Sequence, residues 1–130
     1  MPKLSVYMIR FALIYLGMGM SIGGLILWNK GFPISVTIWQ WLPVHIELLI
    51  FGWIMQLVMG VAFWIVPRFP TPPKYGRAGQ AWTSFILFNI GLWLVILGQN
   101  WLILGGRVVM FGAVALFAIY LFPRIKPFAE

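Results

Sequence analysis

The stretch WQWLPVHIELLIFGWIMQLVMGVAFWIVPR, Trp39 to Arg68, decides the fold. From Leu48 to Val66 every side chain except Gln56 is hydrophobic or glycine, and Pro67 with Arg68 closes the run. A segment of this length and polarity matches the ~20 apolar residues that cross a bilayer as a helix. Its length argues against a buried core strand, because strands run to about 4–8 residues. We assign a membrane span over residues 39–66.

Three further spans follow by the same criterion. Residues 6–28 are apolar apart from Arg10 and end in the polar stretch Asn29-Lys30-Gly31-Phe32-Pro33. No small-residue cleavage site follows a short apolar core, so this segment reads as a retained helix and not as a removed signal peptide. Residues 81–97 form the third span, and Gly98-Gln99-Asn100 turns the chain into the fourth, 101–122. Between the second and third spans, Pro67 to Arg77 carries four prolines with Lys74, Gly76 and Arg77, the composition of a connector. The chain is therefore predicted to be an all-α integral membrane protein of one four-helix domain, residues 1–130, with no linker long enough to separate two units.

Composition agrees. Of the 130 residues 62% are hydrophobic and 8% are charged, against roughly 25% charged in soluble domains. Lys and Arg number nine against two acidic residues, a net charge of +7. Lys3, Arg68, Lys74, Arg77, Arg124 and Lys126 fall on one side of a four-span layout, with Arg10 just inside it, and Lys30 alone falls on the other. The positive-inside rule then puts both termini in the cytoplasm, and the membrane expected is a bacterial or archaeal cytoplasmic one. Trp28, Trp39, Trp41 and Trp101 fall at the outer helix ends, with Trp64 and Trp82 at the inner ones, as interface anchors. Basic residues confined to helix ends form no groove for nucleic acid. With no cysteine there is no disulfide, thiolate site or cysteine nucleophile, and no phosphate loop, Ser-His-Asp set or zinc spacing is present.

Small residues suggest how the helices pack. Gly19 and Gly23 make a small-xxx-small pair in the first span, and Gly105, Gly106, Gly112 and Ala113 line the fourth, which predicts close backbone contact.

Polar residues at membrane depth are costly, and His45, Glu47, Gln56, Asn89 and Arg107 are the candidates. With the outer boundary at Trp41 and Trp101, Glu47 and Arg107 each lie six positions inward, roughly 9 Å at ~1.5 Å per residue. They should meet as an ion pair, within one subunit or across an interface, that docks the fourth helix on the second. Alternatively Arg107 serves an acidic ligand group such as a haem propionate. Leu49, Gly52, Gln56 and Gly60 share the azimuth of His45, and Glu47 points away from it. A lean face beside an imidazole suits either helix packing or a flat conjugated ligand, and neutral imidazole ligates haem iron well.

The run from His45 through Phe51-Gly52-Trp53 and Met59-Gly60 to Pro67-Arg68 resembles the second helix of subunit I in the haem-copper oxidase and nitric oxide reductase superfamily. The first span, with Arg10 and several glycines, looks similar too. The resemblance implies that His45 is an axial ligand to the iron of haem b; Gly52 and Gln56 on its face, and Arg107 by its charge, are the further cofactor-binding candidates. Subunit I has twelve helices in three four-helix arcs and needs several more histidines. This chain is one arc with one histidine, so copper is not expected, no catalytic residue is assigned, and enzymatic activity within one chain is disfavoured. A homotrimer would mimic the twelve-helix arrangement, and a homodimer pairing two His45 on one iron is the other choice.

The leading expectation is a small b-type cytochrome for electron transfer or for gas or redox sensing. Its partners would be the lipid bilayer, other copies of itself, and quinol or respiratory-complex subunits. Met55 and Met59 lie too far inward to supply a sixth iron ligand. A haem-free accessory or assembly subunit of a respiratory complex is the alternative. A proton-coupled transporter using Glu47 is disfavoured by the matching charge of Arg107.

Overall fold

Backbone amides and carbonyls inside hydrocarbon must pair with one another, and the computed structural model, which describes residues 1–125, meets this with helices and no strand among those residues. The first span is α1, Lys3–Gly31. The second opens with a 3₁₀ turn, Val36–Trp41, and continues as α2, Leu42–Glu47, a π-helical stretch, Leu48–Met55, and α3, Gln56–Ile65. Then come α4, Ala78–Leu97, and α5, Trp101–Leu121, with a 3₁₀ turn Phe122–Arg124 behind it. All four spans are long and apolar enough to cross a membrane.

Each expected span is present, and the differences are at the ends. Asn29 and Lys30 do not break α1; Asn29 Oδ1 instead accepts from the N–H of Ile34 (2.8 Å) and Ser35 (3.0 Å), folding the loop back on the helix end. Ser35 Oγ accepts from Thr37 N–H at 3.3 Å and starts the second span three residues before Trp39. Pro67 stops it, because the residue before a proline is pushed out of the helical region, and Val66 has ψ 135°. Between α4 and α5, Asn100 takes a positive φ of 50°, which Asn tolerates better than other side chains with a Cβ.

The helices pack as two hairpins. α1 lies along the second span and α4 lies along α5, while the two hairpins touch over shorter stretches. In each hairpin a buried serine reaches across to a carbonyl of the other helix: Ser5 Oγ donates to Gly60 O at 2.7 Å and Ser84 Oγ to Ala113 O at 2.6 Å. The α4–α5 contact is closest at Gly91 and Gly106. A Cβ built on Gly106 would stand 2.7 Å from the backbone oxygen of Gly91, and one on Gly91 2.8 Å from that of Gly106. Backbone cannot yield as a flexible side chain does. Gly106→Val should therefore cost about 1–3 kcal/mol through overpacking, read as a lower midpoint of thermal unfolding in detergent; an unchanged midpoint would show that the hairpin spreads freely.

Large apolar side chains face outward, among them Leu13, Ile14, Leu27, Val108, Phe111 and Ile119. Such a surface is that of a protein solvated by a lipid bilayer. Gly17, Gly24, Gly105 and Gly112 also face outward and meet nothing within 4 Å. The small residues expected to make close contacts thus divide into those that pack inside the chain and those that do not.

Arg124, one of the cations counted at the helix ends, is buried there, only 2% exposed. Lys126, also counted there, lies outside the described residues.

Candidate functional site

His45 sits in the six-residue α2, where Pro43 in the first turn has no N–H and so needs no acceptor. Its imidazole turns toward α1, with Nδ1 2.7 Å from the carbonyl oxygen of Gly19. A carbonyl only accepts, so Nδ1 carries a proton and donates, and in the neutral imidazole Nε2 is then the nitrogen with the lone pair. The contact depends on a second glycine four residues further along α1. A Cβ on Gly23 would fall 2.5 Å from Cε1 of the ring and 2.8 Å from Nδ1. Gly23 thereby both uncovers the Gly19 carbonyl and makes room for the ring.

Beside the ring runs an open groove of ≈ 580 Å³, walled by Gly23, Gly24 and Leu27 of α1 on one side and by Trp39, Leu42 and Leu49 on the other, with Lys30 at its end. It is mostly apolar, with one imidazole and one ammonium as its ionisable groups, and its size is that of a small-molecule site.

The other residues expected to share the lean face of His45 do share it, even though the π-helical stretch intervenes, and that face is covered by α1. Gly52 abuts Tyr15, with 2.9 Å from a built Cβ to Cβ and Cγ of that side chain, and Gly60 abuts Met8. Gln56, 1% exposed, directs Nε2 toward Met8 O at 3.5 Å, and its Oε1 has no partner among the described residues. The room read from these glycines is therefore filled by the chain itself, and the open space beside His45 lies further along α1, at Gly24. Glycine patterns alone do not distinguish a ligand slot from a helix seat.

Glu47 and Arg107 meet within one chain. Arg107 donates from Nη1 to Oε2 at 2.9 Å and from Nη2 to Oε1, a two-pronged pair, and its guanidinium stands 5.3 Å from the centre of the Phe51 ring. Glu47 is 8% exposed, whereas the Arg107 side chain is 43% exposed. The clefts that Arg107 lines contain Phe51, Met110 and Phe111 on one side and Gln40, Val44 and Glu47 on the other, and His45 borders neither. Among the described residues no group of three or more His, Cys, Asp or Glu could hold a metal ion. An imidazole standing alone suits a metal whose remaining ligands come from a macrocycle.

No protein-family model, curated protein or solved structure matches the chain. Function must be read from the site's own chemistry.

Two polar clusters escaped the sequence reading. Tyr15 donates to Asn89 Oδ1 at 2.6 Å and accepts from Trp93 Nε1 at 3.1 Å, tying α1 to α4 at mid-span. Asn89 was singled out as polar, and its need for a partner was the available signal for Tyr15. Arg124 donates from Nε to Pro67 O (3.0 Å), from Nη2 to Val66 O (2.7 Å) and Phe63 O (3.2 Å), and from Nη1 to Tyr120 Oη (3.2 Å). Its role is structural. Arg10, by contrast, stays exposed.

Proposed function

We propose that the chain is a small membrane haem protein, with His45 Nε2 as an axial ligand to the iron of haem b and the groove beside it as the seat of the macrocycle. The observation that carries the reading is the bond from His45 Nδ1 to Gly19 O. Metal-bound histidines regularly donate their second nitrogen to a backbone carbonyl, which fixes the tautomer, orients the ring and makes the ligating nitrogen more basic. The residues fit such a group at the groove: an oriented imidazole seated on Gly23, open space beside it at Gly24, and apolar walls. Haem bound there would supply a one-electron couple, and the fitting tasks are electron transfer or sensing of a gas or redox state. The protein's own residues hold the imidazole in one tautomer and keep the slot dry.

Of the four residues associated with the cofactor at the outset, this reading keeps His45 as ligand. Gly52 and Gln56 support it from the α1 interface, and Arg107 serves the Glu47 pair. Two further features of the reading concern the assembly. The groove opens away from the chain's own core, so a second copy is the natural cover, and the homotrimer of three four-helix units is our preferred arrangement over a homodimer. The excess of cations at the end bearing Lys3, Arg68, Lys74 and Arg77 supports cytoplasmic termini; a bacterial or archaeal cytoplasmic membrane, with quinol or respiratory subunits as electron partners, is the setting this reading proposes.

The test is spectroscopic. Protein purified after expression with adequate haem should show a Soret band that His45→Ala removes or reduces to a small fraction. An undiminished band in that variant, or none in the parent protein, would overturn the reading. One observation favours a second reading, a haem-free accessory subunit: Tyr15 and Met8 fill the space at Gly52 and Gly60, so most of the α1 interface closes without any cofactor. Colourless protein co-purifying with larger respiratory subunits would favour that alternative.

A further inference from the structure

We propose that Lys30 receives the anionic end of the ligand whose iron His45 binds, so that the groove selects a tetrapyrrole bearing free carboxylates; this rests on the haem reading above. Gly23, Leu27 and Lys30 stand at i, i+4 and i+7 of α1, on one face, and all three line the groove that holds His45. Gly23 abuts the imidazole, and Lys30 lies seven residues on, roughly 10 Å at ~1.5 Å per residue. That separation is of the order of the reach from the centre of a tetrapyrrole to its carboxylate arms.

Charge points the same way. Among the described residues the only acidic side chain is Glu47, which Arg107 holds in a bidentate pair. Lys30 thus has no carboxylate partner there, and its side chain makes no hydrogen bond. Arg107, the cation first considered for a propionate, lines clefts that exclude His45. Lys30 is the one cation that shares a cavity with the imidazole. The backbone beneath it is held, because Asn29 is buried and spends its side-chain oxygen on Ile34 and Ser35. An ammonium on a fixed helix end at the edge of an apolar slot is a receptor for a carboxylate.

The experiment titrates the full-length protein in detergent with ferric haem b and, separately, with its dimethyl ester, following the Soret band. The parent protein should bind the diacid about tenfold more tightly than the ester, in line with a hydrogen bond to a charged group. Lys30→Gln should erase that preference and leave the absorbance at saturation intact, whereas Lys30→Arg should retain it. Added salt should weaken diacid binding in the parent more than in Lys30→Gln. An unchanged preference in Lys30→Gln, with the band still lost in His45→Ala, would overturn the role of Lys30 alone. If the parent develops no Soret band with either compound, or His45→Ala binds both as the parent does, the haem reading falls and this inference with it. Lys30 is exposed, so neither substitution disturbs the core.

Discussion

Replacing Arg124 by Ala should lower stability by about 4 kcal/mol, since each buried carbonyl left without a donor costs ~1–3 kcal/mol. The guanidinium serves three carbonyls, that of Phe63 in a buried bond and those of Val66 and Pro67 in part-buried ones. Phe63, Val66 and Pro67 belong to the end of the second span, where the last carbonyls of a helix have no intrahelical donor and carry partial negative charge. Pro67 blocks any continuation that would have paired them. The rings of Phe63, Tyr75 and Tyr120 surround the cation at 5.3, 5.5 and 5.6 Å, and Tyr120 Oη in turn donates to Tyr75 O at 2.6 Å, fastening the proline-rich loop. Arg124→Lys should recover less than half of the loss, because an ammonium is a point charge and cannot serve several divergent acceptors. Unfolding in mixed micelles by titration with dodecyl sulfate, followed by tryptophan fluorescence, measures both variants. A change within about 0.5 kcal/mol, the usual range for surface substitutions, would show that the clasp is ornamental.

Arg107→Met should cost about 2–4 kcal/mol, because it strands the buried Glu47, while the exposure of Arg107 discounts the ~3–5 kcal/mol penalty of a fully buried pair. The asymmetry of exposure decides which single change hurts more. Glu47, at 8% exposed, has no route to water once its partner is gone, while Arg107, with 43% of its side chain exposed, has room to extend toward the membrane surface. Glu47→Gln should therefore cost less than half as much as Arg107→Met. The double variant should be more stable than Arg107→Met alone, since two neutral side chains leave no charge stranded. The same titration, run as a double-mutant cycle, gives the coupling directly. Additive losses would mean that the pair contributes no mutual energy.

The four spans were legible because length and apolarity are summed properties that survive small errors at the ends. The Glu47–Arg107 pair was legible for a related reason: helical rise converts sequence position into depth, and two opposite charges at one depth in hydrocarbon must find each other. Azimuth was also legible, since His45, Gly52, Gln56 and Gly60 all face α1. What covers that face was not, because a missing side chain suits a neighbouring helix as well as a ligand. The burial of Arg124 was not legible either, because it depends on the Pro67 to Arg77 loop returning to place Tyr75 against it. The π-helical bonding of Leu48–Met55 has no counterpart in composition, since nothing in that run breaks an α-helix.

The bond between Arg107 and Glu47 spans 60 positions of sequence, and this separation sets a clock on biosynthesis. A ribosome adds ~5–20 residues per second, so the carboxylate of the first hairpin is made about 3–12 s before its guanidinium. Throughout that interval the hairpin carries an acidic group with no protein counter-ion. The insertion machinery or its enclosed water must shelter the group until the second hairpin arrives. Arg124 comes later still, and its carbonyl partners at the end of the second span wait with it. Newborn chains therefore pass through a half-inserted stage in which the Glu47 carboxylate and the carbonyls that Arg124 will cap are both unmet.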